Sequence, residues 1–182
     1  MTKRGKRSDQ GLTMVEILVV VAILGIIAAI IVPVSDRMKK SATSTQCIAK
    51  LKNLGISLSS YFFDNGDQFP EMVAARESRN QDDPAMDTVL AEYVRDGQDF
   101  KCPADHGGIF EETGTSYFWN SLMNGQRLSN MNFLGITKDA GGIPLMSDKE
   151  NFHQHIGDGV NILYADGHVQ KELQFTVGTR RN

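Results

Sequence analysis

The sequence predicts an α+β fold in which one long amino-terminal helix precedes a small antiparallel β-sheet. Two observations support this prediction. Apolar residues recur at helical spacing through residues 12–64, and the short β-rich segments all lie after residue 114. Because helical and strand segments are separated along the chain and do not alternate, an antiparallel sheet packed on the helix is favoured over a parallel α/β sheet.

The first part of that helix has the composition of a membrane span. Residues 17–32 contain no charged side chain, and about 20 apolar residues suffice to cross a bilayer. We therefore expect a transmembrane helix over residues 12–34 and a globular domain over residues 35–182. With 19 Lys and Arg against 22 Asp and Glu, the chain lacks a basic excess, so no nucleic-acid partner is expected.

Two general interpretations of the apolar segment leave some of its features unexplained. A cleaved secretory signal fits the basic leader, but the apolar stretch exceeds the usual length of roughly 7–15 residues and lacks a clear A-x-A site. A plain membrane anchor fits the length but gives no reason for Glu16: a carboxylate deep in a membrane helix is costly, although near the helix end Glu16 could sit at the interface.

A third interpretation uses all of these features together. The stretch GLTMVE, followed by an apolar run and preceded by basic residues, resembles the amino-terminal signature of type IV prepilins and type II secretion pseudopilins. The resemblance implies a leader peptide over residues 1–11, cleaved by prepilin peptidase between Gly11 and Leu12. Leu12, where many family members have Phe, would then be the N-methylated first residue of the mature chain.

The same resemblance gives Glu16 a role in assembly. The new amine at Leu12 is a cation beside an apolar core, and a carboxylate is its natural partner. A helix amino terminus also favours a nearby anion within one chain. The family implies that Glu16 of an incoming subunit pairs with the Leu12 amine of a neighbouring subunit and so sets the axial register of a filament.

The helix is predicted to continue beyond the membrane as an amphipathic segment. Its apolar stripe follows alternating steps of four and three residues: Cys47, Leu51, Leu54, Leu58 and Tyr61. We expect the aromatic run Tyr61 to Phe63 to pack in the core. Asn65-Gly66 is typical of a helix end, which places the predicted helix at residues 12–64.

The remaining elements are predicted from shorter patterns. We expect a short helix at residues 88–94 and strands at residues 115–119, 143–146, 161–165 and 168–170. Pro144 favours an edge position for its strand. Asp166-Gly167 predicts a hairpin with a two-residue type I′ turn.

Short motifs in this domain resemble one pseudopilin-like subgroup. These motifs are Phe-x-Cys-Pro-Ala-Asp at residues 100–105, Ser-Tyr-x-x-Asn at residues 116–120, and His155 followed by Asp166-Gly167. Ten residues separate His155 from Asp166, one more than in that subgroup, so the role of His155 stays open.

The two cysteines and the acidic residues leave alternatives open. Cys47 and Cys102 could form a disulfide if the domain is exported, or remain two buried thiols. Histidines and aspartates crowd residues 153–168 without the spacing of a known metal motif, so no metal site is expected. Calcium remains a weaker option, and its candidate ligands are Asp148, Asp158 and Asp166.

Together, these features predict a structural filament subunit that is not an enzyme. Its expected partners are sister subunits, prepilin peptidase, the inner-membrane assembly platform and membrane lipid. The amino terminus would be cytoplasmic, with a single pass through the inner membrane and a periplasmic or extracellular globular domain. The alternative is a membrane-anchored periplasmic domain that binds a ligand or catalyses a reaction.

Overall fold

The structure is a computed structural model that describes residues 13–154 and 159–171. It divides into two units, residues 1–39 and 40–182. Its helices and strands are α1 (Met14–Asp64), α2 (Met86–Val89), α3 (Ile109–Thr113), β1 (Tyr117–Trp119), β2 (Pro144–Asp148), β3 (Ile162–Tyr164) and β4 (Val169–Gln170). Short 3-10 helices occupy Gly97–Phe100, Ser121–Met123, Leu128–Asn130 and Ala140–Gly142.

The long amino-terminal helix is confirmed. α1 covers Met14–Asp64, within two residues of the predicted start and at the predicted end. Gly66 adopts the left-handed conformation (φ 62°) in which helices commonly stop. The Asp67 N–H donates to the Phe62 carbonyl at 2.9 Å, which satisfies one carbonyl of the last helical turn.

The predicted apolar stripe forms the helix side of the core, where its last member, Tyr61, is partly buried and packs against the other core residues. Cys47, Leu51, Leu54 and Leu58 are all buried. Phe62, four residues after Leu58, is also buried. Phe63 lies about 100° further around the helix and is 89% exposed, so the expectation that it packs in the core is wrong.

The sheet has four strands in the order β1-β2-β3-β4, and all neighbouring strands are antiparallel. This confirms the predicted α+β arrangement. The sheet packs against the carboxyl-terminal part of α1, where a Cβ placed on Gly55 would lie 3.2 Å from Cδ2 of Leu163. Gly55 therefore allows the helix backbone to approach β3 closely.

The position predicted for the strand containing Pro144 is wrong. β2 lies between β1 and β3 and is not at an edge. Pro144 is the first residue of β2, and the pairing register shifts between Pro144 and Met146. Proline lacks the N–H needed inside a ladder, and the start of a strand next to a bulge is a place where that loss is tolerated.

The hairpin between β3 and β4 is confirmed, but its predicted type I′ turn is wrong. A type I′ turn needs two consecutive residues with positive φ, and only Gly167 (φ 86°) has it here. The Gly167 N–H donates to the Tyr164 carbonyl, and the Tyr164 N–H donates to the His168 carbonyl, both at 2.9 Å. The loop therefore has three residues, with glycine in the left-handed position.

The short helix predicted at residues 88–94 begins earlier. α2 covers Met86–Val89, and a turn follows in which the Tyr93 N–H donates to the Leu90 carbonyl at 3.0 Å. Met86 and Leu90 are buried, and they anchor α2 and this turn in the core.

Candidate functional site

The apolar part of α1 exposes its side chains all around the helix. Ile17, Leu24 and Ile30 are 50%, 59% and 63% exposed, and the neighbouring aliphatic residues are similar. Within the described residues, α1 is the helix long and apolar enough to cross a membrane. A helix that is apolar on every side needs lipid or other helices around it, which fits a membrane-anchored protein.

Glu16 closes a capping box at the start of this helix. Its Oε2 accepts hydrogen bonds from the Thr13 N–H (2.9 Å) and the Thr13 hydroxyl (2.8 Å). The Glu16 N–H in turn lies 3.3 Å from Thr13 Oγ1. The sequence pattern Thr-x-x-Glu is typical of a capping box, but the sequence prediction treats Glu16 only as a countercharge for the Leu12 amine. The carboxylate thus also satisfies one backbone donor, the Thr13 N–H, at the start of its own helix.

The predicted processing site cannot be placed. Gly11 and Leu12 lie outside the described residues, as do His155 and Asp158. Cleavage after Gly11 and methylation of Leu12 therefore stay predictions.

A disulfide in the globular unit joins α1 to the segment before α3. Cys47 and Cys102 are bonded, with an S–S distance of 2.11 Å and Cα atoms 5.1 Å apart. Both residues are fully buried. The sequence left open a disulfide or two buried thiols, and the structure contains the disulfide. Its two cysteines are 55 residues apart in the chain.

His153 and Asp148 lie beside this disulfide. His153 Nε2 is 3.7 Å from Cys102 Sγ and 3.8 Å from Asp148 Oδ2. Asp148 Oδ2 also accepts hydrogen bonds from the N–H of Asn161 (2.9 Å) and its side-chain amide (2.8 Å). Burial outweighs these hydrogen bonds and raises the pKa of Asp148 to about 7. Sequence spacing could not reveal this cluster, because its members lie on separate elements.

The Cys-Pro-Ala-Asp and Ser-Tyr motifs meet at Asp105, which the sequence prediction did not single out. Its Oδ2 accepts hydrogen bonds from the Ser116 hydroxyl (2.6 Å) and the Phe110 N–H (2.8 Å). Its Oδ1 accepts from the N–H groups of Gly108 and Ile109. Burial tends to raise the pKa of Asp105, but these hydrogen bonds outweigh it and lower that pKa.

We expect Asp105→Ala to lower the free energy of unfolding by about 3 kcal/mol at pH 7, because several buried donors lose a charged acceptor. A lowered pKa in the folded state contributes stability above the unfolded pKa, which is lost as the pH falls through the folded value. The difference from wild type should therefore shrink as the pH falls from about 5 towards 3. Denaturant unfolding measures this, with the exposed Asp83→Ala as a control that should change little; a difference independent of pH would contradict the ionic role.

Two of the calcium candidates cannot share one ion. Pro144 pairs with Tyr164 across the sheet, so Asp148 is at the far end of β2 from the hairpin loop that holds Asp166. Four residues of strand span about 13 Å. Asp166 Oδ1 instead accepts a hydrogen bond from the His168 N–H (3.1 Å), with His168 Nδ1 at 2.5 Å.

An apolar groove lies along β1 and β2. Its volume is about 540 Å³, within the size range of small-molecule sites. Phe118, Leu122 and Phe133 line it together with Pro144. This groove is the feature that best fits the alternative prediction of a ligand-binding domain.

Comparison with known proteins agrees with the amino-terminal features. Residues 6–32 match the family described as the prokaryotic N-terminal methylation motif. The chain is 29% identical over 105 residues to the type II secretion system core protein G of Escherichia coli (strain K12). That alignment covers 58% of this chain and 71% of the relative. No solved structure matches the chain.

Proposed function

On the premise that this chain is a prepilin-like protein of the pseudopilin kind, we propose that it is a structural subunit of a type IV pilus-like or type II secretion pseudopilus filament. The observation that carries the proposal is the methylation motif at residues 6–32, placed directly on a long apolar helix. The similarity to a type II secretion core protein favours the pseudopilus of these two filaments. Its role is structural and not enzymatic.

The proposed topology follows from the charges around the apolar segment. Lys3, Arg4, Lys6 and Arg7 precede it and Arg37, Lys39 and Lys40 follow it, so the preference of basic residues for the cytoplasmic side favours a cytoplasmic amino terminus by a modest margin. The amino terminus then faces prepilin peptidase in the cytoplasm, and the globular unit is periplasmic before assembly. A periplasmic location also agrees with the disulfide between Cys47 and Cys102, because disulfides persist in oxidising compartments.

Assembly is proposed to move α1 from lipid into a bundle of sister helices. The apolar side chains of residues 17–32 would exchange lipid for equally apolar neighbours, so this exchange supplies little net hydrophobic driving force. Helix packing and charge pairing would then decide the axial register between subunits. Glu16 supplies the carboxylate, and the Leu12 amine released by cleavage supplies the cation. The inner-membrane assembly platform would hold the subunits during this transfer.

Mass spectrometry of the mature chain tests the processing step. We expect the amino-terminal peptide to begin at Leu12 and to carry one methyl group on its amine. Deleting the prepilin peptidase should leave Met1 or its processed form at the amino terminus. A mature chain cut after Ala29 or beyond, or an unprocessed chain in the presence of the peptidase, would contradict the proposal.

The apolar groove supports a second candidate function, a membrane-anchored binding domain. In that case neither the wild-type chain nor Leu122→Glu should be recovered with filaments, and Leu122→Glu, which places a charge at the groove, should abolish ligand binding there. A filament subunit without a groove ligand would retain assembly in Leu122→Glu and lose it in Glu16 variants. Co-purification of each variant with filaments distinguishes the two functions.

A further inference from the structure

Three buried donor side chains meet at the disulfide, and a buried carboxylate lies next to the histidine among them. The Sγ atoms of Cys47 and Cys102 and one ring nitrogen of His153 all lie within 4.8 Å of one another, and His153 Nε2 is 3.7 Å from Cys102 Sγ. Asp148 Oδ2 lies 3.8 Å from the same Nε2. Each of these four residues is 2% exposed or less. They come from α1, the segment before α3, the end of β2 and the turn that follows it.

We propose that the reduced chain binds one Zn²⁺ ion between the two cysteine thiolates, His153 and Asp148. Thiolate, imidazole and carboxylate are the usual ligands of zinc, and four of them complete a tetrahedral site. Neighbouring donors around a tetrahedral zinc ion lie about 3.3–3.8 Å apart, given ligand bonds of about 2.0–2.3 Å. The 3.7 Å and 3.8 Å separations around His153 Nε2 already agree with that spacing.

An unpartnered carboxylate oxygen supports a cation at this place. Asp148 Oδ1 is buried and has no hydrogen-bond partner within the described residues. A buried carboxylate oxygen without a donor is costly, and a bound cation would compensate it. The two hydrogen bonds from Asn161 orient Oδ2, the oxygen 3.8 Å from His153 Nε2 and the proposed zinc ligand, as outer hydrogen bonds commonly do for metal-ligating carboxylates.

The disulfide and the zinc ion are alternative cross-links between α1 and the segment before α3 that contains Cys102. While the sulfur atoms are bonded to each other, neither is a thiolate ligand. A phosphine opens the bond by donating two electrons to sulfur. It becomes a phosphine oxide with an oxygen from water, and the two sulfur atoms take up two protons. Zn²⁺ then displaces these two protons into solvent as it binds.

Zinc titration of the full-length chain in detergent tests the site. The chain is first reduced with a phosphine, freed of excess reductant and then titrated with Zn²⁺ against a chromogenic chelator. We expect one Zn²⁺ per reduced chain, none per oxidised chain, and at least two protons released per ion. Co²⁺ in place of Zn²⁺ should give thiolate-to-cobalt charge-transfer absorption.

Variants distinguish a four-ligand zinc site from binding of zinc by the two cysteine thiolates alone. His153→Gln and Asp148→Asn should each weaken Zn²⁺ binding at least about tenfold, whereas His106→Gln, at an exposed histidine near Cys102, should leave it unchanged. Undiminished binding in both His153→Gln and Asp148→Asn, or in Cys47→Ala/Cys102→Ala, would overturn the proposal. If reduction unfolds the chain, Zn²⁺ must restore its near-ultraviolet circular dichroism; failure to do so would also overturn it.

Discussion

Glu16→Ala is expected to reduce incorporation of the chain into filaments by more than about tenfold, while membrane insertion and cleavage continue. In the proposed filament, removing the carboxylate would leave the Leu12 amine of the neighbouring subunit without its countercharge in an apolar bundle, and an unpaired buried charge is strongly destabilising. The measurement is the fraction of tagged subunit recovered in sheared filaments, compared with the fraction in the membrane.

The capping box makes two further variants informative, since Glu16 bonds Thr13 in its own chain. Glu16→Gln keeps a side chain that can close the box but removes the charge, so it should assemble as poorly as Glu16→Ala. Thr13→Ala removes the capping hydroxyl but retains the carboxylate, so it should assemble nearly as well as wild type. The reverse order, with Thr13→Ala defective and Glu16→Gln normal, would assign Glu16 to helix capping alone.

Loss of the disulfide is expected to produce the largest change in stability. Cys47→Ala/Cys102→Ala should lower the free energy of unfolding of the globular unit by about 4 kcal/mol, because a closed loop of this size restricts the unfolded chain. For a domain of this size, the melting temperature should fall by about 10–15 °C. Thermal unfolding followed by circular dichroism in the presence of a metal chelator measures the effect.

Chemical reduction provides the matched control for this experiment. Wild-type chain treated with a phosphine and a chelator should melt close to the double alanine variant, since both lack the cross-link. Reduction should not shift the melting of the variant itself. Equal stability of oxidised wild type and the variant would mean that the cross-link does not restrict the unfolded chain.

The local sequence was sufficient to predict α1. Its first half is continuously apolar, apolar residues recur every three or four positions in its second half, and Asn65-Gly66 supplies the stop, so these local features fix the type and extent of the element. The strands were also predictable, with ends shifted by one or two residues. The turn before β4 was not, because Asp166-Gly167 is compatible with a two-residue or a three-residue loop, and only the pairing of the strands chooses between them.

The sequence by itself determined the amino-terminal features: the basic leader, the Gly-to-Glu spacing and the apolar helix that follows are all contiguous in the chain. Only the tertiary structure decided the position of β2 within the sheet and the neighbours of His153. The physical reason is distance along the chain. Cys102 lies 55 residues after Cys47 and 51 residues before His153, and the three share no local pattern, so the fold alone brings their donor atoms together.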